Sequence, residues 1–129
     1  MFPRGAALAA FAAAVMLATP CARAAEAMII VQRSPLAGFR HYGGGEVLRT
    51  LKPGDRLELV REPANPYDAN AVRVEWHGVM LGYVPSRDNA AVARQMDRGV
   101  ALEARLASVR ENRNRSVRLE LEVVAPLQS

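Results

Sequence analysis

The sequence predicts a mainly β protein, built as a small, curled antiparallel β-barrel of about six strands with one or two packed helices. Two observations favour this fold. Short segments in which apolar and polar residues alternate recur along the chain, and turn residues such as Gly, Pro and Asn separate them. Alternation this regular is typical of antiparallel strands with one face in water. At 129 residues the chain has room for one such domain.

The first 24 residues predict a secretory signal peptide rather than part of the domain. A basic residue stands near the start, residues 6–17 form an Ala-rich apolar run, and residues 22–24 (Ala-Arg-Ala) fit an A-x-A cleavage motif. A second candidate motif follows at once, so cleavage is expected near residues 24–27. The apolar run is shorter than the roughly 20 residues of a spanning helix. We therefore expect an exported protein, periplasmic or secreted, with no membrane span after signal removal.

Signal removal leaves a mature chain whose single domain we place at residues 28–125. Cys21 is the only cysteine, and cleavage after residue 24 removes it, so no disulfide, thiolate zinc site or cysteine nucleophile is expected. Cleavage directly before Cys21, as in a lipoprotein, is disfavoured by Pro20. The formal net charge falls from +4 to +2 with the loss of Arg4 and Arg23, which favours anionic partners only modestly.

Alternation places several of the strands, and β-rich composition and turn residues place the others. A two-residue hairpin turn is predicted at His77-Gly78 and a longer turn at residues 111–115. The strand segments lie at residues 28–33, 39–42 (short), 56–61, 72–76, 79–84, 102–106 and 117–123.

One helix is predicted from Ser86, a good N-cap residue, to about Arg98, and Gly99 ends it. Val92 and Met96 lie one turn apart on it and are expected to face the core.

The first candidate site is the loop that precedes residue 72. Its two prolines restrict the backbone, and Asn65, Asp68 and Asn70 are residues that bond nearby backbone N–H groups in turns. This explains the loop as a rigid turn without a ligand. Tyr67, however, stands at the tip beside the Asp68 carboxylate, where an exposed ring would suit a base or a sugar. Both interpretations stay open from the residues alone.

The second candidate site is Arg40-His41-Tyr42, on a predicted short strand. There Arg40 and Tyr42 would share one face and His41 would take the other. Interleaved aromatic and basic residues suit a single strand of nucleic acid, with rings stacking on bases and arginine on phosphate. The alternative is that these residues have only structural roles, with Tyr42 in the core and Arg40 at a solvated edge of the sheet.

Catalytic and metal motifs are weak or absent in the sequence. The only histidines are His41 and His77, which excludes a multi-histidine zinc site, and the loop oxygens do not match a calcium loop. The three glycines at 43–45 indicate a turn or a close backbone approach, with no P-loop pattern after them. A His41–Asp68 pair could act as acid and base, but nothing in sequence brings the two together. We expect no enzyme activity, no catalytic residue, no metal and no cofactor.

Taken together, these segments resemble the HIRAN domain, over about residues 28–124. The segment from Glu62-Pro63 through Asn-Pro-Tyr-Asp-Ala-Asn-Ala is the most specific part of the match. The matching runs are GFRHYG at 38–43, GDRLELVREP at 54–63, NPYDANAVRV at 65–74 and LGYVP at 81–85.

The resemblance implies a small OB-like or SH3-like barrel and a function. HIRAN domains of eukaryotic remodelling ATPases grip the 3′-hydroxyl end of single-stranded DNA. By motif, Tyr67 would stack on a base, Asp68 would accept a hydrogen bond from the terminal hydroxyl, and Asn65 would line the pocket. The implied nucleic-acid-binding residues are Arg40, His41, Tyr42, Asn65, Tyr67, Asp68 and Tyr83.

Two of those positions depart from the DNA-binding members of the family. They carry an aromatic pair where this chain has His41-Tyr42, and a histidine where it has Tyr83. The helicase, nuclease and RING modules of multidomain members are not in this sequence, so ATP hydrolysis and zinc binding are not implied. We expect an exported module that binds single-stranded DNA ends. The alternative is an envelope interaction protein that reuses the groove for a peptide, glycan or other polar ligand.

Overall fold

A computed structural model describes residues 27–127, and the predicted signal peptide with Cys21 lies outside them. The described chain forms six strands, two α-helices and one turn of 3₁₀ helix. In chain order these are β1 Met28–Pro35, the 3₁₀ helix Phe39–His41, α1 Gly44–Val47, β2 Arg56–Arg61, β3 Val72–Trp76, β4 Val79–Tyr83, α2 Ala90–Asp97, β5 Glu103–Glu111 and β6 Val117–Pro126.

The six strands form one antiparallel sheet in the order β1-β6-β5-β2-β3-β4, which confirms the predicted mainly β fold. The sheet curls but is not closed by a continuous ladder. Its two ends meet at one residue pair, where the Ala37 N–H donates to the Tyr83 carbonyl at 2.9 Å and the Tyr83 N–H donates back at 3.0 Å. This single bridge brings the segment after β1 beside β4, and the candidate site is built around it.

The core lies inside the curl because alternate side chains of each strand point inward. On β6, for example, Leu119 and Leu121 are buried while Arg118 and Glu120 are exposed. The sheet residues with no more than 2% exposure include Leu57, Val72, Val74, Leu81, Leu106, Leu119, Leu121 and Val123.

The predicted strand at residues 39–42 is wrong, because Phe39–His41 is a 3₁₀ turn. Gly38 begins the turn with a left-handed φ of 79°, and the His41 N–H donates to its carbonyl at 2.9 Å. The Phe39 ring packs so closely on Gly44 that a Cβ there would overlap it. The left-handed backbone of Gly38 follows directly after the Ala37–Tyr83 bridge, so the chain turns instead of extending along β4.

Helix α2 begins at Ala90 with Asn89 as its N-cap residue, three residues later than the predicted N-cap at Ser86, while its C-terminal end agrees with the prediction. Ser86 belongs to a preceding turn in which the Asp88 N–H donates to the Pro85 carbonyl at 2.8 Å, so Asn89 occupies the N-cap position. Val92 and Ala93 are buried, and Gly99 ends the helix with φ of 86°. Within residues 27–127 no helix has the length and apolar character needed to cross a membrane.

The β3–β4 hairpin turn is confirmed at His77 and Gly78, with φ values of 46° and 79°. Both residues of such a turn need positive φ, which explains the glycine at its second position.

Gly82 is the residue that permits the sheet ends to meet. A Cβ at this position would overlap the Ala37 carbonyl oxygen, and its φ of 155° is one that other residues rarely adopt. We expect Gly82→Ala to destabilise the protein by about 2 kcal/mol or more, because the bridge must separate to admit the methyl group. Urea unfolding followed by the fluorescence of Trp76 measures this change.

Gly45→Ala is the matched control, because a Cβ there meets open space on α1. This variant should be as stable as the wild type or slightly more so. Equal losses of stability in the two variants would contradict the importance of the Ala37–Tyr83 bridge.

Candidate functional site

The carboxylate of Glu62, directly after β2, joins three parts of the structure. Its Oε1 accepts hydrogen bonds from the Tyr83 hydroxyl at 3.0 Å and from Asn65 Nδ2 at 3.1 Å, and its Oε2 accepts one from Arg73 Nη1 at 3.0 Å. Tyr83 lies on β4, Arg73 on β3 and Asn65 in the loop. One side chain therefore holds the loop against both strands.

The loop is stiffened further by its own polar side chains. Asn65 Oδ1 accepts from the backbone N–H groups of Tyr67 at 2.9 Å and Asp68 at 3.2 Å, and Asp68 Oδ1 accepts from the Asn70 N–H at 2.9 Å. These bonds are the turn contacts expected from the sequence. The Tyr67 side chain makes none of these bonds, so it does not stabilise the loop.

Five of the seven predicted site residues line one cavity of about 400 Å³, here called the tyrosine pocket. It lies between the loop and the Ala37–Tyr83 bridge. The five residues are Tyr42, Asn65, Tyr67, Asp68 and Tyr83.

The three tyrosines of the pocket differ in what holds them. Tyr42 and Tyr83 pack edge to face, with ring centroids 5.8 Å apart, and the Tyr83 hydroxyl is bound by Glu62. Tyr67 is 96% exposed, and its hydroxyl makes no hydrogen bond within residues 27–127. A ring that exposed is held in place by the loop backbone alone, so both its edge and its face remain available to a ligand.

The other two predicted residues, Arg40 and His41, line a different cavity of about 730 Å³, here called the arginine cavity. Its far wall is the β5–β6 turn, which contributes Asn114, Arg115 and Ser116. The expectation that Arg40 and Tyr42 share one face is therefore wrong. Because residues 39–41 form a 3₁₀ turn, Arg40 and His41 reach one cavity and Tyr42 reaches the other.

The arginine cavity carries uncompensated positive charge. Six ion pairs form among the described residues, and neither Arg40 nor Arg115 takes part in any of them. The planar guanidinium group is well suited to phosphate and carboxylate. The cavity therefore favours an anionic ligand.

Among residues 27–127 the structure shows neither a metal-binding cluster nor a contact between the two members of the considered acid–base pair. Within the part of the chain that the structure describes, no group of three or more His, Cys, Asp or Glu side chains is placed to hold a metal ion. His41 and Asp68, considered above as an acid–base pair, line different cavities.

The sequence analysis did not single out Asn89, which does not line the tyrosine pocket but binds one of its residues, Asp68. Asn89 Nδ2 donates to Asp68 Oδ2 at 2.7 Å, and Asn89 is only 1% exposed. The only sequence feature that could have pointed to Asn89 is its position just before the apolar residues of a helix. That feature ordinarily marks an N-cap residue.

Burial raises the pKa of Tyr83 above its ordinary value of 10.0, and the hydrogen bond to Glu62 and the negative charge of Glu62 raise it further. The folded protein thus favours the protonated hydroxyl. The stability gained from this preference is complete below about pH 10 and is lost as the pH rises through the folded pKa. Tyr83 consequently donates to Glu62 throughout the neutral range.

We expect Tyr83→Phe to reduce the decline in unfolding free energy above about pH 10, because the phenylalanine has no proton to lose. Urea unfolding at several pH values between about 8 and 11 measures the decline. At neutral pH the variant should be less stable than the wild type, since Glu62 loses one donor. An unchanged alkaline slope would contradict the coupling between Tyr83 and Glu62.

Comparison with known sequences gives a family for this arrangement. The family model described as "HIRAN domain" matches residues 29–128. Among curated proteins, the Helicase-like transcription factors of Mus musculus and Oryctolagus cuniculus are each 36% identical over 70 residues, which is 54% of this chain. The chain spans only about 6% of the length of those relatives.

Solved structures agree with the fold. A crystal structure of a Lactobacillus plantarum protein aligns with a TM-score of 0.68 at 28% identity, over 77% of this chain and 95% of the other. The HIRAN domain of human HLTF aligns with a TM-score of 0.59 at 24% identity, over 76% and 78% of the two chains, and supports the fold alone. Because the family model covers well over half of the sequence, the chain belongs to the HIRAN domain family.

Proposed function

We propose that this protein is a nucleic-acid-binding module that holds a single strand by its 3′ end, and that it acts after export. The observation that carries the proposal is the fully exposed ring of Tyr67, which stands beside the Asp68 carboxylate at one pocket. The curated relatives bear the name "helicase-like transcription factor", which is consistent with nucleic acid as the ligand class.

The tyrosine pocket would take the terminal nucleoside. Its volume of about 400 Å³ falls in the range of small-ligand sites. A base stacked on the ring of Tyr67 would gain about 1–3 kcal/mol. The neighbouring carboxylate of Asp68, an acceptor only, would accept a hydrogen bond from a terminal hydroxyl and repel a terminal phosphate.

The arginine cavity would take the next part of the strand. Arg40 and Tyr42 are two residues apart on opposite sides of one turn, so adjacent nucleotides could occupy the two cavities. The guanidinium groups of Arg40 and Arg115 would then face the phosphates. The choice of the 3′ over the 5′ hydroxyl comes from the family resemblance, so it has to be tested separately.

The first test compares oligonucleotides that differ only at their ends. Fluorescence anisotropy with labelled single strands should give tighter binding to a free 3′ hydroxyl than to a 3′ phosphate, by about tenfold, because Asp68 repels the phosphate. The affinity should also fall as salt rises, because phosphate contacts release counterions.

Strands whose 5′ end alone is phosphorylated serve as the control and should bind like the unmodified strand. Equal binding to all of these strands would reject end recognition. Absence of binding to any of them would reject nucleic acid as the ligand and favour a peptide, glycan or other polar ligand.

The second test removes the stacking surface. Tyr67→Ala should weaken binding by about 5- to 100-fold, the loss expected for one base–ring contact. Tyr67→Phe is the matched control and should bind normally, since the hydroxyl has no partner within residues 27–127. Both variants should be as stable as the wild type, because the side chain is exposed. A Tyr67→Ala variant with full affinity would exclude this ring from the site.

Export is proposed on the N-terminal sequence alone, which has a basic start, an apolar run and small residues before residue 25. In a Gram-negative expression host, intact-mass analysis of the periplasmic fraction should find a chain that begins near residues 25–28. A full-length chain confined to the cytoplasm would contradict export.

A further inference from the structure

Asn89 is one of two buried polar side chains among the described residues, and its amide is used in an unusual way. It occupies the N-cap position of α2, yet its side chain makes no capping bond. Its backbone is already helical, with φ −92° and ψ −17°, whereas a capping residue is normally extended. Its carbonyl oxygen accepts the Ala93 N–H at 2.8 Å. The backbone therefore belongs to the helix, and the side chain is left for another partner.

That partner is Asp68, 21 residues away in sequence. Asn89 Nδ2 donates to Asp68 Oδ2 at 2.7 Å, while Asn89 Oδ1 is buried and has no hydrogen-bond partner within the described chain. A buried acceptor without a partner destabilises the fold. A leucine of similar shape would remove that acceptor and also lose the bond to Asp68, so the net contribution of the amide to stability is small.

The bond from Asn89 completes the restraint of the Asp68 carboxylate. The Asn70 N–H donates to Oδ1 at 2.9 Å and Asn89 Nδ2 donates to Oδ2. Because each oxygen accepts a hydrogen bond, rotation of the carboxylate about the Cβ–Cγ bond is restricted. Each carboxylate oxygen keeps a second lone pair. Asp68 lines the tyrosine pocket, and a ligand hydroxyl would therefore meet an acceptor whose direction is already set.

We infer that Asn89 is a positioning residue that gives the tyrosine pocket its preference for a free hydroxyl end over a phosphorylated end. The inference rests on the proposed function and deepens it. Asn89 does not line the pocket and acts only through Asp68. A variant of Asn89 should therefore change which end the protein prefers while leaving the stacking on Tyr67 in place.

The test is a double-mutant cycle on full-length protein with Asn89→Leu, Asp68→Ala and the double variant. Fluorescence anisotropy gives the ratio of Kd for a 3′-phosphate strand to Kd for the matching 3′-hydroxyl strand. Asn89→Leu should lower the roughly tenfold wild-type ratio to about threefold, because Asp68 keeps its charge but loses one of the two bonds that fix its direction. In the Asp68→Ala background it should change nothing, because the residue through which it acts is absent.

Urea unfolding of Asn89→Leu should show stability close to the wild type, because removal of the buried acceptor without a partner offsets the lost bond to Asp68. If the leucine variant does not fold, Asn89→Ser, which is too short to reach Asp68, replaces it in the cycle. If the Asn89 variants leave the Kd ratio unchanged, the inference is overturned while the proposed function stands. The same holds if they lower the ratio equally in the wild-type and Asp68→Ala backgrounds. A wild-type ratio of one overturns the proposed function and the inference with it.

Discussion

The candidate site depends on one carboxylate, that of Glu62, which binds the loop, β3 and β4 together through Asn65, Arg73 and Tyr83. Two further side-chain bonds hold the loop: Arg61 of β2 donates to the Ala71 carbonyl at 3.1 Å, and Asn89 donates to Asp68 at 2.7 Å. The backbone of Tyr83 also brings the two ends of the sheet together, because its N–H and carbonyl pair with Ala37. The pocket and the curl of the sheet are thus parts of one arrangement. The raised pKa of Tyr83 keeps its proton in place at neutral pH.

The parts of the fold that follow from local pattern could be predicted from the sequence. Strands β2 and β3 show two-residue alternation, and β4 follows the His77-Gly78 turn, whose residues tolerate positive φ, so each was placed correctly. The stiff loop was also foreseen, because asparagine and aspartate side chains bond backbone N–H groups over a few residues. The HIRAN resemblance, carried mainly by that loop, is confirmed by the family match.

The parts that depend on contacts between distant segments could not be predicted. Residues 39–42 have the composition of a strand, but the left-handed φ of Gly38 ends the extended backbone directly after the single Ala37–Tyr83 bridge, so they turn instead. That turn divides the predicted site residues between two cavities. Likewise, the role of Asn89 depends on Asp68, which is 21 residues away in sequence and adjacent only in space, and the sequence analysis placed the helix N-cap at Ser86 instead.

The central claim is that the end of a nucleic-acid strand occupies the tyrosine pocket and extends over the 3₁₀ turn. The most direct measurement is a ¹H–¹⁵N NMR titration of the labelled protein with a short single strand that has a free 3′ hydroxyl. The account predicts the largest amide shifts at Tyr67, Asp68 and Asn70, smaller ones at His41 and Tyr42, and little change at the C-terminal end of α2. Shifts that are absent, or that centre on another face of the sheet, would contradict it.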